Sequence, residues 1–224
     1  MAFELDHVLI WTDVGADVAA ELTALGLTEG SSNVHSGQGT TNRRFFFHNV
    51  MLELLWIDDD AAARSDLIRP TYMWERWSGR RNGACPFGIC LRPTDGANKP
   101  IAFEHWPYRP PYLPPSLPSI AMGNNCDRLD EPMLFQTPFG RRPDRFPPEK
   151  AQPLQHELGL REVSRTAIVS PQAMPVSPAL QGVLDTQAIT LRQGEDYCLE
   201  LGFDREAAGR SIDFRPELPL VLSW

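Results

Sequence analysis

A strand–helix–hairpin pattern near the N-terminus returns near the C-terminus, and this repeat constrains the fold of the 224-residue chain most strongly. The first block has an apolar strand over 3–12, followed by apolar residues at helical spacing that end at Gly26, a residue type suited to a helix C-terminus. A hairpin over 42–57 follows, and one further strand is expected before Gly39. The block is therefore predicted to have the order β-α-β-β-β.

The second block has the same predicted order. A strand over 162–170 is followed by a helix that Ser177 caps and Pro178 opens, and then by three strands that reach the C-terminus. The aligned blocks share a Leu-Glu-Leu sequence, which is centred on Glu53 in the first block and on Glu200 in the second. Internal repetition of this kind predicts two equivalent structural modules.

Thirteen of the 21 prolines lie between Pro100 and Pro153, in the segment that separates the two blocks. A disordered linker between two small domains would fit this composition. Each block alone would bury only one face of its sheet, so we expect the segment to be an ordered connection packed across both. The prediction is a single domain over 1–224, with module one at about 1–58, a connecting strand and proline-rich segment at about 59–160, and module two at about 161–224.

The composition disfavours several classes of function. The formal net charge of −8 argues against a nucleic-acid binder, because phosphate contacts need a basic surface. No apolar run approaches the roughly 20 residues of a membrane helix, and no signal peptide is visible at the N-terminus. The four cysteines form no CxxC pair, so reduced thiols and a cytoplasmic location are expected.

His7 and Glu53 are polar residues inside otherwise apolar predicted strands. A buried carboxylate without a partner is strongly destabilising, so Glu53 must be paired or must line a cavity. An imidazole and a carboxylate together suit a divalent ion such as Zn²⁺, Mn²⁺, Fe²⁺ or Ni²⁺. The alternative is a structural pair, in which Glu53 takes an arginine or a backbone donor.

Glu200 occupies the position equivalent to Glu53, so it is the natural third metal ligand and a second candidate catalytic carboxylate. The position equivalent to His7 holds Arg165, which stays charged and is a poor metal ligand. Two alternatives stay open. The first is a three-ligand metal site in which Glu200 joins His7 and Glu53, and the second is a metal-free site in which Arg165 binds an anionic group.

The stretch 35–44 is rich in glycine, threonine and amide side chains. It does not lead from a strand into a helix, so the pattern does not favour a phosphate-binding loop. We expect a loop at the rim of a cavity, with a plain hairpin loop as the alternative. The residues expected to contact a substrate there are His35, Gln38, Asn42 and Arg43.

No nucleophile is evident in the sequence. There is no Gly-x-Ser-x-Gly elbow, and no cysteine has a histidine close by in sequence. His156-Glu157 lacks the second histidine of a metalloprotease motif.

These motifs resemble those of the vicinal oxygen chelate superfamily, and within it the bacterial glyoxalase-like domain proteins. The strands around His7 and Glu53 are similar to the first and last strands of that superfamily's module. The stretch 35–43 is similar to the His-Gly-Gly-Thr-Asn sequence common in the glyoxalase-like group, and 156–160 is loosely similar to a His-Pro-Asn-Gly element.

The resemblance implies an α+β fold, in which paired β-α-β-β-β modules form a curled mixed β-sheet around a cavity. It implies metal ligands on the first and fourth strands of the modules, where His7 and Glu53 match and Arg165 departs. Superfamily enzymes bind substrates with adjacent oxygens to a divalent ion, which stabilises an enolate or a similar oxyanion. Other members bind drugs with no metal ion.

Two functions are implied. The first is a metal-dependent lyase, isomerase or dioxygenase that acts on a small vicinally oxygenated metabolite, with His7, Glu53 and Glu200 as ligands of one Zn, Mn, Ni or Fe ion. The second is a metal-free protein of the bleomycin-resistance type that binds or sequesters a small molecule.

Both functions imply a small-molecule ligand and no nucleic-acid or membrane partner, and a homodimer is left open. We expect the aromatic residues of the proline-rich segment to line one side of the cavity. These residues are Phe103, Trp106, Tyr108, Tyr112, Phe135 and Phe139.

Overall fold

The protein is described here from a computed structural model that covers residues 3–94, 100–138, 140–172 and 175–224. Two β-sheets pack face to face. The first has eight strands: β1 (Phe3–Trp11), β2 (Val34–His35), β3 (Thr40–Phe46), β4 (Met51–Ile57), β5 (Phe87–Pro93), β6 (His105–Tyr108), β7 (Ile120–Gly123) and β8 (Met133–Gln136).

The second sheet has five strands: β9 (Val163–Ser170), β10 (Thr190–Gln193), β11 (Cys198–Phe203), β12 (Ser211–Asp213) and β13 (Leu220–Ser223). The α-helices are short: α1 (Ala19–Ala24), α2 (Asp60–Ala63), α3 (Met73–Gly79) and α4 (Pro178–Asp185). Single 3₁₀ turns lie at Arg69–Thr71, Pro143–Arg145, Pro148–Lys150 and Asp204–Glu206. Within the described residues, no helix is long and apolar enough to cross a bilayer.

The first sheet has the strand order β2-β3-β4-β1-β5-β8-β7-β6 and consists of two related halves. Strand β1 is parallel to β4 and β5 is parallel to β8, whereas β1 and β5 pair antiparallel. Strands β1–β4 and β5–β8 are therefore related by an approximate two-fold axis between β1 and β5. The predicted fold class, paired modules in a curled mixed sheet, is confirmed.

The partner of the first module is not the predicted C-terminal block. Strands β5–β8, within residues 87–136, complete the first sheet, so most of the proline-rich segment is the second half of that sheet. The sequence did not predict β6 or β7, because prolines surround them. Pro107 lies in β6, an edge strand, where a residue without an N–H is tolerated.

The Leu-Glu-Leu equivalence between the two terminal blocks is wrong. Strand β4 runs parallel to β1, but β11 runs antiparallel to β9. Glu200 on β11 therefore does not occupy the position of Glu53 on β4. Matching strand sequences did not specify strand direction, which depends on pairing across the sheet.

Alternation along the strands divides the core between two faces. Val8 and Leu54 face the second sheet, where they join a buried cluster that includes Leu199. Leu9 and Leu55 face the opposite, concave side and form a second cluster that includes residues of α3. The polar side chains of β1 and β4 that face this concave side are the ones considered next.

Candidate functional site

A cavity of about 760 Å³ lies on the concave face of the first sheet. Its walls are largely apolar and include Leu9, Leu55, Met73, Met122, Met133 and Phe135. A cavity of this size with a few convergent polar groups is typical of a site for a small organic molecule. Five of the predicted site residues line it: His7, His35, Gln38, Asn42 and Glu53.

A second depression, of about 880 Å³, lies at the ends of strands from both sheets. Its wall includes Asp13, which is ion-paired with Arg80 and Arg81. None of the eight predicted site residues, all of which lie in the described part of the chain, lines this depression. The concave cavity is therefore the candidate site.

His7 lies at the base of the cavity with its ring fixed from one side. Its Nδ1 is 2.7 Å from Asp6 Oδ1, and the ring of Phe135 packs against it at 5.2 Å between centroids. Burial disfavours the charged ring, but Cys90 and Asp6 outweigh burial and raise the pKa of His7 well above its ordinary value. The ring of His7 therefore takes up a proton more readily than a free imidazole.

Asp6 was not predicted as a site residue, because adjacent residues of a regular strand face opposite sides. The pairing of β1 with β5 shifts register between Leu5 and His7. Such a bulge re-aims the local side chains, so Asp6 and His7 both line the cavity. Arg92 donates to the other Asp6 oxygen at 3.4 Å and fixes the carboxylate from behind.

Glu53 faces His7 across the base of the cavity and is almost fully buried. Its Oε2 is 3.6 Å from His7 Nε2, too long for a hydrogen bond, and its Oε1 accepts a hydrogen bond from Asn42 Nδ2. Asn42 is in turn fixed because its Oδ1 accepts from Asn33 N at 2.7 Å. One oxygen of Glu53 is therefore held, and the other is directed toward the ring.

A hydrogen-bond network extends from the cavity wall to the 35–40 loop. Tyr108 donates its hydroxyl to Gln38 Oε1 at 2.7 Å, and Gln38 Nε2 donates to Thr40 Oγ1 at 2.9 Å. His35 Nδ1 is 2.8 Å from the same hydroxyl, and its ring stacks on Tyr112 at 4.7 Å. Burial lowers the pKa of His35, so this ring is neutral at neutral pH.

Arg43 does not face the cavity, contrary to the prediction that it contacts a substrate there. It lies on the other face of β3, where Nε donates to Glu29 Oε1 at 2.7 Å. Asn42 and Arg44 share the cavity face because side chains alternate along a strand. Since Asn42 was expected to face the cavity, the same alternation would have identified Arg44 from the sequence.

Arg165 and Glu200 lie on the second sheet and do not line the cavity. Arg165 Nη1 is 3.2 Å from Glu200 Oε2, its Nε is 2.6 Å from Glu206 Oε1, and Arg192 contacts the other Glu200 oxygen. Arg165 and Glu200 therefore pair with each other, and neither lines the cavity that contains His7. The structure does not assemble the three-ligand set that includes Glu200.

The proline-rich segment supplies part of the cavity wall. Tyr108, Tyr112 and Phe135 line the cavity as expected, whereas Phe103 is buried in the core between the sheets. Trp106 is half-buried, and its ring contacts Tyr108 at 5.7 Å. Of the remaining aromatic residues, Phe139 lies outside the described residues, and Phe146, which was not predicted, also lines the cavity.

The donor set at the base of the cavity does not fit a resident divalent ion. The 3.6 Å between His7 Nε2 and Glu53 Oε2 is close to the roughly 3.4 Å that separates two ligands of a tetrahedral ion with bonds of about 2.05 Å. A third protein ligand is nevertheless expected for a catalytic ion. The third predicted ligand, Glu200, lies on the second sheet, and the residue that pairs with His7 on β5 is Cys90.

The other nearby donors are occupied or protonated. Ligand atoms of Asp6, His7 and Cys90 lie within 4.8 Å of one another. Asp6 already accepts a hydrogen bond from Arg92, and burial raises the pKa of the Cys90 thiol in the metal-free protein. The described residues place an acid–base pair at the base of the cavity, with Asp6 and Cys90 beside it.

Comparison with known proteins gives a family match over part of the chain and a similar fold. Residues 5–107 match the glyoxalase-like domain family. The crystal structure of a hypothetical protein from Staphylococcus aureus is similar over 100% of this chain and 99% of that chain, with a TM-score of 0.50 and 10% identity. At that identity the similarity concerns the fold alone. No curated protein matches this chain in sequence.

Proposed function

Because residues 5–107 form a glyoxalase-like domain of the vicinal oxygen chelate superfamily, we propose a proton-transfer function for the concave cavity. The substrate is a small molecule with an enolisable carbonyl group, and His7 and Glu53 are the general acid and base. One observation carries the proposal: His7 Nε2 and Glu53 Oε2 face each other at 3.6 Å, while Asp6 and Asn42 hold the opposite atoms of the two side chains.

The geometry supports a keto–enol step. A carbonyl oxygen at the base of the cavity accepts a hydrogen bond from His7 Nε2–H, and Glu53 Oε2 removes a proton from the adjacent carbon. The electron pair of the broken C–H bond forms the carbon–carbon double bond of the enol, and the carbonyl oxygen takes the proton of His7. Return of a proton to another carbon or another face gives an isomer or epimer, so no oxidant is consumed.

The apolar walls support this chemistry by excluding water. In a dry cavity a hydrogen bond from His7 Nε2–H to a developing oxyanion is stronger than it would be in water. His7 is fixed by Asp6 and Phe135, so little reorganisation accompanies the transfer.

Deuterium exchange into α-hydroxyacetophenone, a neutral aromatic ketone with its hydroxyl on the carbon next to the carbonyl, tests the proposal. Protein treated with a chelator and checked for residual metal should accelerate exchange at the carbon that carries the hydroxyl, as followed by NMR in heavy water. Glu53→Gln should reduce the enzymatic rate by about 10²- to 10⁴-fold, because it removes the base. Glu200→Gln is the matched control, since this carboxylate lies outside the cavity, and should leave the rate unchanged.

Three outcomes would contradict the proposal. If the protein binds the ketone but exchange is no faster than in buffer, the protein is a binding or sequestering protein. Exchange that appears only after a divalent ion is added back would favour the metal-dependent alternative. Equal rates for the Glu53 and Glu200 variants would exclude Glu53 as the base.

A further inference from the structure

We infer that the ligand of the concave cavity carries an anionic group and that Arg44 binds this group at the cavity rim. The inference rests on the proposed function, because it concerns the same small-molecule ligand, and it adds a charge to the substrate class. Arg44 is then a residue that determines specificity. It takes no part in the proton transfer.

Arg44 places a guanidinium group on the cavity wall with only neutral acceptors around it. Its Nε donates to the backbone oxygen of Ser31 at 2.6 Å, and its Nη2 donates to Ser31 Oγ at 2.9 Å. Nη1 reaches the side-chain oxygen of Asn33 at 3.1 Å in the amide orientation that satisfies both Asn33 atoms. The ring of Phe46 lies 5.1 Å from the guanidinium carbon.

No carboxylate among the described residues forms an ion pair with this guanidinium. Its cross-strand neighbour on the same face is Glu53, but the nitrogens of Arg44 bind Ser31 and Asn33. Burial lowers the pKa of Arg44, and the charge of Glu53 only partly offsets that effect. A partly buried guanidinium whose hydrogen-bond partners are all neutral is an unusual arrangement, because a desolvated charge is stabilised chiefly by an opposite charge. The adjacent Arg43 shows the usual arrangement, with two hydrogen bonds to Glu29.

The segment 141–152, which lies at the mouth of the cavity, adds positive charge beside Arg44. Gln152 Oε1 accepts hydrogen bonds from both the backbone N and the Oγ of Ser31, so this segment is joined to the residue that holds Arg44. Arg141 and Lys150 of the segment line the cavity, and Glu149 is the opposing charge there. Three basic groups and one acidic group therefore surround the mouth.

The cavity is thus polarised along its depth. The carboxylates of Asp6 and Glu53 lie at the base with the ring of His7, and the basic groups lie at the rim. A ligand with a carbonyl group at one end and a carboxylate, phosphate or similar anion at the other matches both ends. The apolar wall between them suits an aromatic or aliphatic body.

Two fluorescent probes that differ only in an anionic group test the inference. Anilinonaphthalene sulfonate and its neutral parent, N-phenylnaphthylamine, share an apolar body that the cavity can hold. The wild-type protein should bind the sulfonate more tightly than the neutral probe, and this preference should weaken as ionic strength rises. Arg44→Gln should weaken binding of the sulfonate by about 10- to 100-fold, the range of a charge-assisted hydrogen bond, and leave the neutral probe unchanged.

Arg43→Gln is the matched control, because it removes the same charge from the same strand on the opposite face. It should change the binding of neither probe. Arg141→Gln and Lys150→Gln should each weaken binding of the sulfonate by less than about fivefold, since exposed charges contribute little to affinity. Circular dichroism and thermal melting establish that each variant is folded before its affinity is interpreted.

Competition with phenylpyruvate and with naphthyl phosphate distinguishes the two anion types. Displacement of the sulfonate by either competitor supports the inference, and the stronger competitor identifies a carboxylate or a phosphate as the preferred anion. Displacement by neither competitor, equal affinities of the two probes, or equal losses in the Arg43 and Arg44 variants would overturn it. If hydroxyacetophenone exchange persists in the Arg44 variant without any anion preference, this inference fails and the proposed function stands.

Discussion

Replacing Asn42 with alanine should destabilise the protein, because Asn42 is the side chain that holds the buried carboxylate of Glu53. Asn42 is 1% exposed and Glu53 is 4% exposed, so water cannot replace the lost donor without rearrangement. The bond from Asn42 Nδ2 to Glu53 Oε1 is charge-assisted. The same substitution removes the acceptor of the 2.7 Å bond from Asn33 N.

The two bonds set the expected magnitude. Loss of a hydrogen bond to a charged group costs about 1.5–3 kcal/mol, and loss of a neutral one costs about 0.5–1.5 kcal/mol. Asn42→Ala should therefore lower the free energy of unfolding by about 2–4 kcal/mol. In a domain of this size that corresponds to a fall in the melting temperature of roughly 4–16 °C.

Urea denaturation of a double-mutant cycle separates the two contributions. The cycle comprises Asn42→Ala, Glu53→Ala and the double variant, and it should give a coupling free energy of about 1.5–3 kcal/mol. The bond to Asn33 N is broken in both variants that lack Asn42, so it cancels. A coupling below about 0.5 kcal/mol would refute the argument that Asn42 stabilises the Glu53 carboxylate.

Two further predictions concern the contacts that hold the sheets and loops together. His156 accepts from Thr28 N at 3.0 Å and lies 3.0 Å from the Phe46 backbone oxygen, and burial lowers its pKa, so protonation favours the unfolded chain. The free energy of unfolding in urea should be constant above about pH 6.5 and should fall as the pH drops toward 5. The fall should be smaller in His156→Gln, and equal pH profiles for the two proteins would contradict this role. Asn49 makes two hydrogen bonds to the backbone of Val163 across the sheets, at 2.8 and 2.9 Å, so Asn49→Ala should cost about 1–3 kcal/mol, and a change within error in thermal melting would contradict that assignment.

Local structure was largely predictable because its signals are local. The strand Val163–Ser170 and the helix that Ser177 caps occur where the sequence predicts them, and Ser177 Oγ accepts a hydrogen bond from Leu180 N at 3.1 Å. Gly26 has a positive φ of 104°, as expected for the residue that ends the first helix. Each of these signals depends on a few neighbouring residues.

The candidate site was predictable in part. His7 and Glu53 were identified because each interrupts an apolar strand, and the structure places them 3.6 Å apart. Arg44 could have been identified in place of Arg43 by applying strand alternation from Asn42. Asp6 could not have been identified from the sequence, because the bulge that turns it toward the cavity results from pairing with β5.

The sequence by itself determined most of the strands outside the proline-rich segment, their buried faces and the two polar residues that had to meet a partner. Only the tertiary structure decided which strands became neighbours. It paired the first module with the proline-rich segment and placed Glu200 in a separate sheet with Arg165. The physical reason is that side-chain periodicity fixes which face of a strand is buried, whereas the partner and direction of that strand depend on contacts between residues distant in sequence.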